Sequence, residues 1–342
     1  MKTALLNIFS IIKNIPEIIS LMPKWIRTKF FQLHKYINEF GFFVSIIACF
    51  KFLNPQYYIK TLEKYFKKFL KDEIDCYLKK TSGDIYKNEI PKEDIDKNVY
   101  VWTCWLTGYD SMPDVVKLCY NRMKKMIPPD KAELILITLE NYTEYITIPD
   151  YIVEKYKKGI IGPAHFSDII RFCLLSKWGG MWLDSTIYIS SPVPEDCLHT
   201  FYFSQKAADS SKYALEPSKA MWSSFLWSGT KNNLFFSFVR DGLFHYWKEH
   251  NIVIDYVFFD YIMLTGYKQI PAFFEMIEKA EPNNEDIWKL IHIINDKYNS
   301  EEYEKLCKDT MFHKLTYKLN LKELTSDNNM TFYGYLIESN KH

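Results

Sequence analysis

The most informative run of apolar and polar positions lies in the middle of the chain, between Pro163 and Ser190. Its first half repeats apolar side chains at helical spacing, which predicts a helix with one buried face starting at Pro163. Gly179 and Gly180 follow and predict the end of that helix. The run MWLDSTIYI then predicts one buried strand. Asp184 falls inside that strand, where a charge without a partner is costly.

Two further charged residues share one face of the predicted helix. Asp168 and Arg171 are three positions apart, so their side chains lie next to each other. A surface ion pair at this spacing is common and contributes little. Because Asp184 belongs to the strand that follows, all three charges can meet at one place. This favours a functional site over a surface ion pair.

Upstream of this run, the pattern predicts a strand, a helix and a second strand. The strands are residues 98–106 (NVYVWTCWL) and 133–139 (ELILITL). A capping box from Ser111 to Asp114 predicts the start of the helix between them. This order indicates a βαβ unit and a parallel sheet, whose ligands bind beyond the carboxyl ends of the strands. We therefore expect an α/β fold.

The first 96 residues have a different character, rich in aromatic and basic residues. Residues 1–80 contain 14 Lys or Arg against 6 Asp or Glu, a net charge of +8. The apolar run 40–53 is shorter than the ~20 residues that span a bilayer. Two interpretations remain open. The segment is either a helical extension packed on a domain formed by residues 97–342, or a peripheral anchor whose lysines bind a membrane surface.

Composition narrows the class of protein and its location. Of the 342 residues 48% are hydrophobic and 17% aromatic, which predicts a folded chain with a large core. The net charge of +1 gives no indication of a nucleic-acid partner. The seven cysteines include no C-x-x-C pair, which is typical of a reducing compartment. We expect a cytoplasmic protein, either free or peripheral on the inner face of the cell membrane.

The central run also carries a resemblance to known proteins. The string SDxxRxxxLxxxGGxWxD, from Ser167 to Asp184, closely resembles the central motif of glycosyltransferases of the DXD sugar-binding group. Its WLDST segment is most similar to the bacterial capsular polysaccharide synthesis proteins, and more distantly to glucosylating toxins and initiating mannosyltransferases. The resemblance covers roughly residues 97–318. Where those relatives carry Asp-X-Asp, this chain has Asp184-Ser185-Thr186, so the second carboxylate is missing.

The resemblance implies a fold and an activity. The fold would be the GT-A type, a Rossmann-like nucleotide-sugar transferase domain. The activity would be transfer of a hexose from a nucleoside-diphosphate sugar to a polysaccharide or lipid-linked glycan acceptor, with retention of configuration. A second interpretation stays open because of the missing carboxylate. In that interpretation the protein is a non-catalytic nucleotide-sugar binder or scaffold of a capsule-assembly complex.

The same resemblance assigns roles in donor binding. Asp168 would accept hydrogen bonds from sugar hydroxyls, and Arg171 would bind sugar or phosphate. Asp184 would hold Mn²⁺ or Mg²⁺ against the diphosphate. The remaining expected donor contacts are the end of the first strand and two serines of the motif: Trp102, Thr103, Trp105, Ser167 and Ser185.

A segment near the end of the chain, HKLTYK, resembles the closing element of the capsular family. By this resemblance His313 would take the place of the missing second carboxylate, so that the metal site consists of Asp184, the Thr186 hydroxyl and His313. Lys314 or Lys318 would bind the diphosphate. The sequence thus predicts half of the site at the central motif and the other half far along the chain.

Overall fold

The computed structural model of the chain describes residues 33–49, 51, 53–82, 86–90 and 99–341. The part of the leader prediction that concerns residues 1–32 lies outside them. The described chain is a mixed α/β structure. Its strands are β1 (Val99–Cys104), β2 (Ala132–Ile137), β3 (Gly180–Leu183), β4 (Ile187–Ile189), β5 (Tyr202–Ser204), β6 (Leu226–Gly229) and β7 (Phe312–Lys314).

Five of these strands form one sheet, in the order β2-β1-β3-β6-β5. Strand β1 runs parallel to both β2 and β3, which confirms the predicted parallel βαβ unit. Strand β6 is antiparallel to β3, and β5 is antiparallel to β6. The sheet is therefore mixed, a feature that the βαβ pattern did not predict. Strands β4 and β7 pair in a separate two-stranded antiparallel sheet.

Helices surround the sheet, and residues 33–40 are also helical. The helices of eight residues or more with defined bounds are α1 (Phe42–Cys49), α2 (Pro55–Phe69), α3 (Lys71–Thr81), α4 (Asp114–Met126), α5 (Asp150–Lys157), α6 (Pro163–Trp178), α7 (Leu234–Glu249), α8 (Phe258–Gln269), α9 (Pro271–Lys279), α10 (Ser300–Asp309) and α11 (Phe332–Lys341). Shorter helical turns are Tyr109–Ser111, Tyr142–Tyr145, Glu195–Leu198, Ser210–Tyr213 and Lys289–His292.

The run MWLDSTIYI forms two strands in two different sheets. Strand β3 ends at Leu183 and β4 begins at Ile187. The Ile187 N–H donates to the Asp184 carbonyl at 2.9 Å and closes a turn between them. The prediction of one strand is wrong, because an apolar run does not distinguish one buried strand from two joined by a tight turn. Asp184 consequently lies at the carboxyl end of β3, where its side chain reaches solvent.

Helix α6 begins at Pro163 and is followed by Gly179, as predicted. The next residue, Gly180, has a φ of 87°, and a Cβ atom there would lie 2.1 Å from the Tyr100 carbonyl oxygen. Glycine therefore permits the close approach of β3 to β1. Helix α6 packs against α7 as well as the sheet, so it is buried around most of its circumference rather than on one face.

The predicted capping box at Ser111 is wrong. Helix α4 begins at Asp114 after Pro113, with no hydrogen bond from a capping side chain. The Ser111 hydroxyl instead accepts a hydrogen bond from Trp105 Nε1 at 3.0 Å. A local contact with the end of β1 thus takes the place of the cap, and it fixes the Trp105 ring.

Helices α2 and α3, which belong to the basic segment, pack against the rest of the chain. Helix α2 contacts α8, and α3 contacts α7. Leu62, Phe66 and Tyr77 are buried in the same core cluster as Trp102 of β1. These two helices therefore share the hydrophobic core of the main sheet. Of the helices within the described residues, none has both the length and the apolar character that crossing a bilayer requires.

Candidate active site

Four charged side chains meet at the carboxyl end of β3. Asp184 follows β3, Asp168 and Arg171 come from α6, and Lys314 ends β7. The Arg171 guanidinium bridges both carboxylates, with Nη1 at 3.0 Å from Asp168 Oδ1 and Nη2 at 2.9 Å from Asp184 Oδ1. Lys314 Nζ lies 2.8 Å from the other oxygen of Asp184, Oδ2. We call these four residues the charge cluster.

Neighbouring side chains fix the cluster in place. Trp182 Nε1 donates to Asp184 Oδ1 at 2.9 Å, and Lys314 Nζ donates to Thr186 Oγ1 at 2.8 Å. The Arg171 guanidinium lies 4.8 Å from the centre of the Trp182 ring. Such charge-assisted hydrogen bonds and cation–π contacts hold each group in one orientation. Trp182 was not predicted, although its position two residues before Asp184 places both side chains on the same face of the strand.

The two carboxylates experience different electrostatic surroundings. Burial raises the pKa of Asp168, although the Arg171 guanidinium opposes this effect. Burial also acts on Asp184, but Lys314 and Arg171 together outweigh it, and the pKa of that carboxyl lies below its ordinary value. Asp184 is therefore held in its ionised form, whereas Asp168 takes up a proton more readily than a free aspartate.

Accessibility divides the cluster into an inner and an outer part. The Arg171 side chain is only 4% exposed and lies behind the carboxylates, whereas that of Asp184 is 27% exposed. The Lys314 side chain is 14% exposed. A ligand in the cleft therefore reaches Asp184 and Lys314 first. Arg171 fixes the position of the two carboxylates and balances their negative charge.

The donor set around Asp184 does not fit a divalent cation. Both of its carboxylate oxygens already accept hydrogen bonds, Oδ1 from Arg171 and Trp182 and Oδ2 from Lys314. Mg²⁺ and Mn²⁺ require several oxygen ligands and repel a neighbouring ammonium group. Across the part of the chain that the structure describes, no three His, Cys, Asp or Glu side chains are arranged to hold a metal ion.

The structure does not bring His313 to Asp184. Within β7, His313 pairs with Tyr188 whereas Lys314 pairs with Ile187. Successive side chains of a strand point to opposite faces, so the residue that reaches Asp184 is Lys314. His313 is fully buried, with Nε2 at 3.9 Å from the sulfur of Cys307. Burial lowers the pKa of His313 to about 3.

Of the residues predicted at the end of β1, two lie in the core and one is partly exposed. Trp102 is fully buried and its Nε1 donates to the Gly179 carbonyl at 2.9 Å, so it is a core residue. Thr103 is also fully buried and has no surface for a ligand. Trp105 is half-buried, and its ring lies 5.6 Å from that of Tyr317, edge to face. Tyr317 is 48% exposed and was not predicted as a site residue.

The remaining predicted contacts lie around the cluster. Ser167 precedes Asp168 on α6, is half-buried, and has its hydroxyl beside the Cys104 thiol. Ser185 is half-buried in the turn after Asp184. Lys318 follows Tyr317 in the chain and is exposed, so it is not part of the charge cluster.

A cavity of about 610 Å³ lies next to the charge cluster. Phe225 separates the two, because its carbonyl accepts the Asp184 N–H at 3.0 Å and its ring centre is 4.8 Å from Lys314 Nζ. The cavity walls include aromatic and acidic side chains, among them Tyr58, Trp222, Phe225, Asp255, Asp260 and Trp288. We call this space the aromatic cavity.

Asp260 is the buried carboxylate of the aromatic cavity. Trp222 Nε1 donates to Asp260 Oδ1 at 3.2 Å. Burial raises the pKa of Asp260 to about 7, and no cation contacts it among the described residues. The second cavity carboxylate, Asp255, is different because the Tyr58 hydroxyl and Lys51 both bind it. Helix α2 thus contributes a wall of this cavity.

The fold and the cluster define an α/β protein with a charged site at the carboxyl end of a parallel strand, β3. The family model of the capsular polysaccharide synthesis proteins matches residues 51–336, and the chain belongs to that family. The match includes α2 and α3 as well as the sheet. No curated protein matches the chain.

Proposed function

We propose that the protein is a glycosyltransferase of the GT-A type in capsular or surface polysaccharide synthesis. It would transfer a hexose from a nucleoside-diphosphate sugar to a polysaccharide or lipid-linked glycan acceptor. The observation that carries the proposal is the charge cluster, in which two carboxylates and two cations are fixed at the carboxyl end of β3. Ligands of open α/β sheets bind at this edge.

The residues around the cluster support an order of binding along the cleft. Trp105 and Tyr317 offer aromatic surface for the base of the nucleotide. Lys314 offers a positive charge for the diphosphate, and Asp168 and Asp184 accept hydrogen bonds from sugar hydroxyls. The aromatic cavity beyond Phe225 then offers the space for the acceptor glycan. Donor and acceptor would therefore meet at Phe225 and Asp184.

The chemistry assigned to this chain is stabilisation of the leaving group. The bond from the anomeric carbon to the diphosphate oxygen breaks, and a new bond forms from that carbon to the acceptor hydroxyl oxygen. The hydroxyl proton passes to the departing diphosphate. A fixed cation beside the leaving oxygen stabilises the negative charge that develops there. Retention of configuration is proposed from the resemblance of the central motif.

Nucleotide release tests the proposal. Purified protein is incubated with a panel of nucleotide sugars, and free nucleoside diphosphate is measured with and without membrane-derived acceptor. We expect one donor to be consumed, and Asp184→Asn to reduce the rate by roughly 10²–10³-fold. Binding of a nucleotide sugar without turnover, unchanged by acceptor, would instead favour the non-catalytic binder or scaffold.

A membrane partner is a second part of the proposal. Residues 1–32 contain five Lys or Arg against one Glu, and a lipid-linked acceptor would require the enzyme at the membrane surface. We expect the full chain to float with vesicles containing anionic lipid, and a chain without residues 1–32 to float less. Equal flotation of the two would contradict the anchor.

A further inference from the structure

Lys314 contacts both ends of the Asp-Ser-Thr turn in the charge cluster. Its ammonium is 2.8 Å from Asp184 Oδ2 and 2.8 Å from Thr186 Oγ1, so it joins the first and third residues of the Asp-Ser-Thr turn. In the glycosyltransferases of the DXD group both of these positions are aspartates. A divalent ion between two carboxylates and an ammonium between one carboxylate and one hydroxyl satisfy the same balance of charge.

Thr186 stands where the DXD group has its second aspartate, and Lys314 supplies the positive charge that balances the remaining carboxylate. A second aspartate at position 186 would add a negative charge to a buried position, whereas the hydroxyl accepts a hydrogen bond and adds none. The backbone keeps the two residues together, because the Leu315 N–H donates to the Thr186 carbonyl at 2.9 Å. The pairing of β4 with β7 thus fixes the lysine opposite the turn.

Lys314 also retains the capacity to bind a phosphate. An ammonium group has three N–H donors, and Asp184 and Thr186 take two of them. The side chain is 14% exposed, and we infer that its third donor is the one that a phosphate would bind. The positive charge that a bound diphosphate needs is then already part of the protein.

We propose that the Lys314 ammonium replaces the divalent cation, so that this chain binds a nucleoside diphosphate without a metal ion. The inference rests on the proposed function, since it concerns the same donor site. The resemblance implies that binding depends on a metal ion. We attribute the expected loss of this dependence to two residues, Lys314 and Thr186.

The test is calorimetric binding of UDP, GDP, CDP and ADP to the full chain, in EDTA and in millimolar Mn²⁺. We expect one of them to bind with a Kd that differs by less than about 2-fold between the two conditions. Lys314→Gln should weaken the diphosphate by roughly 10–100-fold, because a charge-assisted hydrogen bond is lost, while the corresponding nucleoside binds unchanged. The control Lys305→Gln removes an exposed lysine of α10 and should leave both affinities unchanged.

Three outcomes would overturn the inference. If Mn²⁺ tightens binding to the unaltered protein by 10-fold or more, a metal is required and the proposed function still stands. If Lys314→Gln folds, as judged by its thermal unfolding, and binds diphosphate like the unaltered protein, Lys314 is not the cation. If no nucleoside diphosphate binds in either condition, the proposed function fails and the inference fails with it.

Discussion

The charge cluster and the aromatic cavity lie on the two sides of Phe225, and each contains an aspartate with a shifted pKa. In the cluster, Asp184 contacts two cations and its pKa is lowered. In the cavity, Asp260 contacts a tryptophan N–H but no cation among the described residues, and its pKa rises to about 7. The same side chain is therefore held ionised on one side and close to neutral on the other.

This difference matches the two ligands proposed for the cleft. A diphosphate is an anion, and the cations of the cluster are suited to it. A glycan is neutral and amphipathic, and a cavity with aromatic side chains and the weakly acidic carboxyl of Asp260 can bind both its apolar faces and its hydroxyls. The comparison teaches that direct contact with a cation sets the ionisation of the aspartate on each side, because Lys51 of the cavity contacts Asp255 and not Asp260.

Removal of Arg171 should have the largest effect on stability, because the two carboxylates of the charge cluster lose the positive charge that lies between them. Arg171→Met leaves Asp168 and Asp184 without the guanidinium that joins them. We expect a loss of about 3–5 kcal/mol in the free energy of unfolding, measured in urea, together with loss of nucleotide release.

A matched control for that change is Arg240→Met. Arg240 pairs with the neighbouring Asp241, and both side chains are about one-third exposed. Its ion pair is partly solvated and its guanidinium also donates to the Ser176 hydroxyl at 2.8 Å, so we expect a smaller loss of about 1–2 kcal/mol. Similar losses for the two variants would contradict the special role of the cluster.

Asp260→Asn should change the pH dependence of stability on the cavity side. The folded pKa of about 7 lies above the ordinary 3.8, so the free energy of unfolding of the native protein falls as the pH rises through this interval. The amide keeps an acceptor for Trp222 and cannot ionise. We expect the variant to gain stability relative to the native protein between pH 4 and pH 8, by at most about 4 kcal/mol.

Thermal unfolding across this pH range measures the effect. The exposed Asp130→Asn serves as the control and should leave the pH profile unchanged. A native profile that is parallel to that of the Asp260→Asn protein would show that Asp260 ionises normally, and the contrast between the two sides of Phe225 would be lost.

Trp288→Ala should have the smallest effect. Trp288 lines the aromatic cavity, is 41% exposed, and lies edge to face against Phe225 at 5.3 Å. Loss of one aromatic contact is worth about 0.5–1.5 kcal/mol, so we expect KM for the acceptor to rise roughly 2–10-fold. A comparable change in the Kd of the nucleoside diphosphate would instead place the donor in the cavity.

Much of the fold could be predicted from local patterns. The start of α6 at Pro163, its end at Gly179 and the parallel βαβ unit follow from spacing and residue type. The division of MWLDSTIYI into two strands could not be predicted, because both halves are apolar and the turn between them contains no glycine or proline. The antiparallel half of the sheet depends on pairings between distant segments.

The candidate site could likewise be predicted where its residues are close together in the sequence. Asp168, Arg171 and Asp184 lie within one continuous motif, and the structure brings them together. Lys314 reaches Asp184 instead of the predicted His313 because of the register of β7 against β4, which the sequence does not specify. Trp105, which is followed by Leu-Thr-Gly, is the better candidate of the two tryptophans in the sequence, and the packing of the core then places Trp102 in the interior.

The most direct test is a crystal structure of the protein with the nucleoside diphosphate that it binds. The account predicts that the terminal phosphate lies within hydrogen-bonding distance of Lys314 Nζ, about 2.7–3.2 Å, with the base beside Trp105 and Tyr317. A diphosphate bound in the aromatic cavity beyond Phe225, with Lys314 free of phosphate, would contradict it.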